Sequence, residues 1–238
     1  MRAMIFAAGL GTRLKPWTDQ HPKALATVNG KTLLQRNIEY LQQYNIEEIV
    51  VNIHHFPEQI KEAVHQSNGW GSHVVFSDET VQLLETGGGL KKAESLLVGN
   101  GAFVVMNVDI LTDLNLGKMI EMHNYSRAIA TLATMDRVTS RYLLFNSQNE
   151  MVGWQNVNTG ETKIARSAKD YIPLAFGGVH VMSDMIFPMI KQTGKFSIID
   201  TYLDLAHDSK IMGFDHSGGK LVDVGKPESI AIAESLFS

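Results

Sequence analysis

Residues 6–25 read FAAGLGTRLKPWTDQHPKAL and set two glycines, Gly9 and Gly11, directly after the apolar run at 3–8. Glycine after a strand lets the backbone turn sharply and present N–H groups to phosphate oxygens, because no Cβ blocks the approach. The aperiodic stretch 8–32 carries Arg13, Lys15, Lys23 and Lys31 against Asp19, a net +3 that leaves −7 on the rest of the chain. A positive loop on an acidic protein calls for an anionic ligand. Two common nucleotide patterns fail here: the dinucleotide fingerprint needs glycine where Leu14 stands, and a P-loop ending at Gly30, Lys31 and Thr32 needs glycine where Leu25 stands. A lone G-x-G usually makes only a tight turn. Joined to Arg13 and Lys23, in a loop about twice the length at which structureless segments imply function or disorder, it points to phosphate handling.

Two carboxylates have the placement a metal site needs. Asp109 ends the apolar run AFVVMNVD (102–109), at the carboxyl edge of a central strand, where ligands of open α/β sheets bind. Asp223 stands in the short strand KLVDVG, followed by Gly225. Such a pair suits Mg²⁺, which keeps several waters and takes one or two carboxylates plus substrate phosphates. Either Asp alone fits a helix cap or a turn equally well. His54, His55 and Glu58 match no zinc spacing, and adjacent strand residues face opposite ways, so a structural role is expected for them. Met119 and Met122, like Met182, Met185 and Met189, fall at helical spacing and are expected to fill core. The absence of cysteine excludes a disulfide framework, a thiolate metal site and a cysteine nucleophile.

The elements that must position these residues follow from periodicity. Apolar runs at 3–8, 48–53, 73–77, 102–109 and 128–134 alternate with helix-length segments at 33–44, 57–66, 88–97 and LGKMIEMHN, as βαβ units do. Hairpin-like pieces follow at 142–146, 151–155 and 173–182, then helical material at 183–206, two strands (IMGFD, KLVDVG) and a closing helix PESIAIAESLF. The pattern predicts an α/β protein with a Rossmann-like, mixed, mostly parallel sheet flanked by helices. No linker interrupts the 238 residues, so one domain over 1–238 is expected, with 1–135 mainly binding nucleotide and 136–238 mainly binding the second substrate. A net charge of −4 without any cluster of five Lys or Arg argues against nucleic acid as a partner. The N-terminal apolar run is too short for a membrane span and lacks a signal-peptide plan, so a cytoplasmic protein away from membranes is expected.

AAGLGTRLKPWT and HPKALATVNGKTLL resemble the opening pattern of the sugar-1-phosphate nucleotidylyltransferases, roughly AAGxGTRLxPLT followed by PKxLxPVxGKPLL. LLETGGGL (83–90), NVDIL (107–111), FGGVHV (176–181) and LVDVGKPE (221–228) extend the resemblance over essentially the whole chain. It implies a nucleotide-diphospho-sugar transferase-like fold joining a nucleoside triphosphate to a sugar 1-phosphate with release of pyrophosphate. It implies that Arg13 and Lys23 hold phosphates as catalytic residues, and that Ala8, Gly9 and Gly11 contact nucleotide through the backbone. It also places Glu85, Gly88 and Asn107 on the nucleotide, Gly178 on the sugar, and Asp109 and Asp223 on Mg²⁺.

The chain departs from many relatives at Val108 and Glu85, where glycines are common. LETGGG is similar to the branch of N-acetylmuramate 1-phosphate uridylyltransferases and heptose or mannose 1-phosphate guanylyltransferases, so UTP or GTP is the expected donor. The Glu85 carboxylate can accept from guanine N1–H and its amino group, orient the loop or meet a sugar hydroxyl, which leaves the base open. A Glu-Lys-Pro segment around the sugar phosphate is missing, and Lys163, Arg166 and Lys169 in GETKIARSAKD sit in no matching motif. Two alternatives stay open: cytidylyl transfer to phosphocholine or a related phosphate, and a non-catalytic nucleotide-sensing module. Assembly into a homo-oligomer is also left open.

Overall fold

The computed structural model describes residues 1–237. Alternation along β1 (Arg2–Phe6) sends Ala3 and Ile5 into one core layer and Met4 and Phe6 into the other, so both faces of this strand are covered. After β1 come three single 3₁₀ turns, Thr12–Leu14, Trp17–Asp19 and Lys23–Leu25, and the two-residue strands β2 (Thr27–Val28) and β3 (Lys31–Thr32). Thr32 caps α1 (Leu33–Gln42) by accepting from the Gln35 N–H, and the helix buries Leu33, Leu34, Ile38 and Leu41 at the spacing read from the sequence. β4 (Glu48–Ile53), α2 (Pro57–Gln66, proline in its first turn) and β5 (His73–Asp78) follow.

The next stretch contains α3 (Glu85–Lys92), α4 (Glu94–Leu97), β6 (Ala102–Asn107), β7 (Ile110–Thr112), α5 (Leu116–Ser126) and β8 (Ala130–Met135). Then come β9 (Arg141–Phe145), β10 (Met151–Asn156), β11 (Glu161–Ile164) and the long β12 (Ile172–Ser183). α6 (Ile198–Leu205), β13 (Ile211–Asp215), β14 (Leu221–Asp223) and α7 (Pro227–Leu236) close the fold.

Ten strands form one mixed sheet in the order β11-β10-β9-β12-β6-β1-β4-β5, with β8 joined to β12 and β13 to β8. β6, β1, β4 and β5 are mutually parallel, whereas β12 runs antiparallel to β6, β8 and β9. Helices lie against both faces, so the expected α/β architecture is the one observed. β1 pairs with β4 on one side and β6 on the other. Their connections splay apart at the carboxyl ends of β1 and β6, a crevice of the kind ligands use in such sheets.

Two stretches differ from the sequence reading. The span 183–206 is not continuous helix: a 3₁₀ turn at Asp184–Met189 contains Pro188, which has no N–H to continue the ladder, and α6 starts only at Ile198. Met185 within it is 62% exposed, unlike Met119 and Met182, which are fully buried. The second is β7, a strand with no clear period of its own that the sequence pattern does not mark; its partner is β14, the strand expected from KLVDVG.

Candidate active site

A cavity of about 450 Å³ opens at the carboxyl ends of β1 and β6. Ala8, Gly9, Gly11, Arg13, Lys23, Glu85, Asn107 and Asp109 line it, together with Asn52, Thr86 and Gly225. A larger groove of about 800 Å³ lies between β11 and α6, and of the residues singled out in the sequence it holds only Lys163 and Met189. Chemistry, not size, selects the smaller cavity.

The loop after β1 is held from below by buried Leu14, Ala24, Ala26 and Val28. Gly11 takes φ +63°, and a Cβ there would meet Thr18 Cγ2 at 2.9 Å and Lys23 Cβ at 3.0 Å, so this tight return needs glycine. Thr18 Oγ1 donates to the Gly11 carbonyl at 2.9 Å and fixes the same return. At Gly9 a Cβ would meet nothing within 4 Å: the residue borders open cavity, and its bare backbone is presented to whatever enters.

Asp109 and Asp223, 114 residues apart, are brought together by the β7–β14 ribbon. Asp223 registers opposite Ile110, and the Val224 N–H donates to the Asp109 carbonyl at 2.8 Å. The buried Asn37 amide, on α1, donates to the Val108 carbonyl at 2.7 Å and so fixes the turn into Asp109. Val108 does not take positive φ, which explains why glycine is dispensable there. Each carboxylate faces a cation of the loop: Lys23 Nζ pairs with Asp109, and Arg13 Nη2 lies 3.4 Å from Asp223 Oδ2.

The donor set fits a hard cation. Asp223 Oδ1 is a buried carboxylate oxygen without a hydrogen-bond partner, and Asp109 supplies oxygen from the neighbouring turn. Among the described residues no group of three or more His, Asp or Glu side chains could hold a metal by itself. Two carboxylates supplemented by substrate phosphates and water are what Mg²⁺ requires.

On the far side of β1 the cavity rests on Asn52 of β4. Its Oδ1 accepts the Ala7 N–H at 2.7 Å and the Ala8 N–H at 3.3 Å, and its Nδ2 donates to Glu79 Oε1 at 2.7 Å. Glu79, wholly buried, accepts the Leu84 N–H on Oε2 at 3.0 Å, just before Glu85 enters the cavity wall. Glu85 has φ +60°, the conformation glycine adopts freely, and its carboxylate lies 3.5 Å from Lys195 Nζ. His54 and His55 serve the loops: His54 Nδ1 lies 2.7 Å from the Glu79 carbonyl, and His55 Nε2 lies 2.9 Å from that of Thr18.

Gly88 does not line the cavity. It sits inside α3, where a Cβ would collide with the Gly194 carbonyl, and its neighbours Gly87 and Gly89 are pressed equally closely by Phe196 and by Glu79. Gly178, at φ +74°, falls where the β12–β8 register shifts and packs beneath Asn107 and Ile110, next to the cavity but outside its lining. The candidates for a second phosphate contact stand elsewhere. Lys163 lies over the Trp154 ring at 5.6 Å, Arg166 pairs with Glu150 at 2.9 Å, and Lys169 is exposed between β11 and β12.

The nucleotidyl transferase family model matches residues 2–143. Over 98% of this chain and 95% of the relative, the sequence is 32% identical to the N-acetylmuramate alpha-1-phosphate uridylyltransferase of Caulobacter vibrioides. The chain belongs to the sugar-1-phosphate nucleotidylyltransferases. This nucleotidylyltransferase is also 27% identical to a mannose-1-phosphate guanyltransferase of Yarrowia lipolytica, over all of this chain and 64% of that one. In fold it resembles HddC from Yersinia pseudotuberculosis complexed with GMP-PN, with a TM-score of 0.79 and 24% identity over 100% and 99% of the two chains. The protein is thus an enzyme of nucleotidyl transfer to sugar 1-phosphates, and its family generally uses a divalent metal ion. Among the described residues no helix is long and apolar enough to cross a membrane.

Proposed function

We propose that this nucleotidylyltransferase joins UTP or GTP to a sugar 1-phosphate, giving a nucleoside diphosphate sugar and pyrophosphate. The observation that carries this reading is the convergence of Arg13, Lys23, Asp109 and Asp223 at one end of a cavity whose floor is the bare backbone of Gly9 and Gly11. The acceptor's phosphate oxygen is ionised at neutral pH and attacks the α-phosphorus in line. It needs no protein nucleophile and no general base. What it needs is help in approaching a polyanion, and that is electrostatics and alignment.

Lys23 and Arg13 hold the donor phosphates and offset their charge, and the loop N–H groups orient them. Asp109 and Asp223 are the residues that would hold Mg²⁺, which would supply neutralisation of substrate phosphate charge. Glu85 and Thr86, at the entrance to α3, border the base, and Asn107 stands between nucleotide and sugar. Gly178 and the strands after residue 135 form the acceptor side. Similarity to a uridylyltransferase and to a guanyltransferase supports both donors, and the acidic side chain at Glu85 suits the donor groups of guanine.

Pyrophosphate release from UTP, GTP, CTP and dTTP, each paired with a panel of sugar 1-phosphates and with phosphocholine in the presence of Mg²⁺, tests the reading. Turnover is expected with UTP or GTP and a sugar 1-phosphate. Turnover confined to CTP and phosphocholine establishes cytidylyl transfer instead, and nucleotide binding without turnover for any pair establishes a sensing module.

A further inference from the structure

Glu79 is a wholly buried carboxylate, and among the described residues no Lys or Arg side chain forms an ion pair with it. Burying a charge costs several kcal/mol unless hydrogen bonds satisfy it. Here both oxygens are used, one by the Asn52 amide at 2.7 Å and one by the Leu84 N–H at 3.0 Å. Even the third glycine of α3 serves this contact, since a Cβ on Gly89 would meet Glu79 Oε1 at 2.6 Å and Asn52 Nδ2 at 3.1 Å.

The donor and acceptor pattern has only one solution. A carboxylate accepts at both oxygens, so Asn52 must turn its NH₂ toward Glu79 and its carbonyl oxygen toward β1. That oxygen then receives the N–H groups of Ala7 and Ala8, where the phosphate loop leaves β1. One buried pair therefore ties the start of the phosphate loop to the last residue before the base-side helix. The Ala8 N–H is already committed to it, and of the loop residues after Ala8 it is Gly9 and Gly11 that line the cavity with bare backbone.

We propose that Asn52 and Glu79 are positioning residues: they hold the phosphate loop and the Leu84–Glu85 segment in mutual register, and the pair sets affinity for the donor triphosphate. This rests on the donor-site reading above. Glu79→Gln keeps shape and removes the pattern. Whichever way the new amide turns, an NH₂ faces either the Leu84 N–H or the Asn52 amide, and in the second case a flipped Asn52 opposes the N–H groups of Ala7 and Ala8. Asn52→Asp alone sets two carboxylates against each other. The double variant, Asn52→Asp with Glu79→Gln, restores every hydrogen bond. Its carboxylate at position 52 accepts from Ala7, from Ala8 and from the new amide NH₂ at position 79, while the carbonyl oxygen of that amide accepts from Leu84.

Calorimetric binding of UTP and GTP, well below the melting temperature and without sugar phosphate, tests this. Glu79→Gln is expected to raise Kd by about tenfold or more, with kcat at saturating donor within about threefold of wild type, and the double variant is expected to recover to within about threefold of the wild-type Kd. Unchanged Kd in Glu79→Gln with only a lowered melting temperature overturns the proposal, as does a double variant that binds no better than Glu79→Gln. Wild-type protein that binds no triphosphate overturns the donor-site reading first, and this proposal with it.

Discussion

On the donor side of the cavity, Asn37, Asn52, Glu79 and Lys23 are buried, hydrogen-bonded and set among parallel strands covered on both faces. Beyond β12 the sheet turns antiparallel, and β11 exposes all four of its residues. The same contrast recurs inside the site. Lys23 and Asp109 are only 10% and 20% exposed, whereas Arg13 and Asp223 are 55% and 40% exposed. On the reading proposed above, the groups that present N–H and charge to the donor are held by buried hydrogen bonds and an ion pair. The outer hairpin can vary at little cost to the fold, which suits a family whose members differ in acceptor.

The two ion pairs break this contrast most sharply. Asp109→Asn and Asp223→Asn are each expected to lower turnover by about 10³-fold or more. Their folding costs should differ: about 3–5 kcal/mol for Asp109→Asn, which strands a buried Lys23, against less than about 1 kcal/mol for the exposed pair. Urea unfolding beside pyrophosphate release measures both, and full activity in either variant would sink the metal assignment. Lys23→Ala should lower kcat/KM for UTP and GTP by a similar factor, on the order of 10²-fold; a changed base preference at normal rate counts against a phosphate role.

Smaller effects sharpen the same picture. Glu85→Gly relieves a left-handed backbone that costs about 1 kcal/mol, so its melting temperature should hold or rise while the GTP-to-UTP preference shifts by about fivefold or more. His180 and His123 are lowered by burial to about 3 and about 4, and both are neutral in the folded protein at pH 7. A group whose folded pKa lies below its unfolded value, here a histidine near 6.5, contributes stability that is complete above about that unfolded value. It is lost as pH falls from there toward about 3, with a slope of up to about 1.4 kcal/mol per unit for each proton. Urea midpoints between about pH 7 and about pH 4 should therefore decline, and less steeply in His123→Gln. Lys163→Ala on the exposed hairpin should change stability by less than about 0.5 kcal/mol and turnover by less than about twofold.

Much of the fold was legible in the sequence. β4 coincides with EIVVNI because a short, nearly continuous β-branched run suits a strand buried on both faces, and α2 coincides with PEQIKEAVHQ because Ile60 and Val64 keep helical spacing and proline marks its start. The phosphate loop announced itself by charge, glycine and length. The helix read at 88–97 starts earlier, at Glu85, and takes in Gly87 as well as Gly88 and Gly89; glycine is a poor helix former, and the reason for helix there is tertiary, since Phe196, Gly194 and Glu79 leave no room for side chains. Asn37, Asn52 and Glu79 gave only a faint signal, a polar residue on a helix's buried face, one inside an apolar strand, and a carboxylate one residue past another. Their partners are groups 27 to 71 residues away, or closer ones across a turn, and no periodicity reports such pairings.

The wide separation along the chain of Asp109 and Asp223, joined through the Val224 to Asp109 hydrogen bond, also has a consequence during synthesis. Arg13, Lys23, Asn52, Glu79 and Asp109 all leave the ribosome before β14, whose Asp223 follows Asp109 by 114 residues, roughly 6–23 s at ordinary elongation rates. On the reading proposed above, the residues of the donor cradle are thus all synthesised well before the second carboxylate assigned to the metal. On that reading, a chain stopped short of Leu221 lacks the second metal carboxylate and is expected to be without turnover.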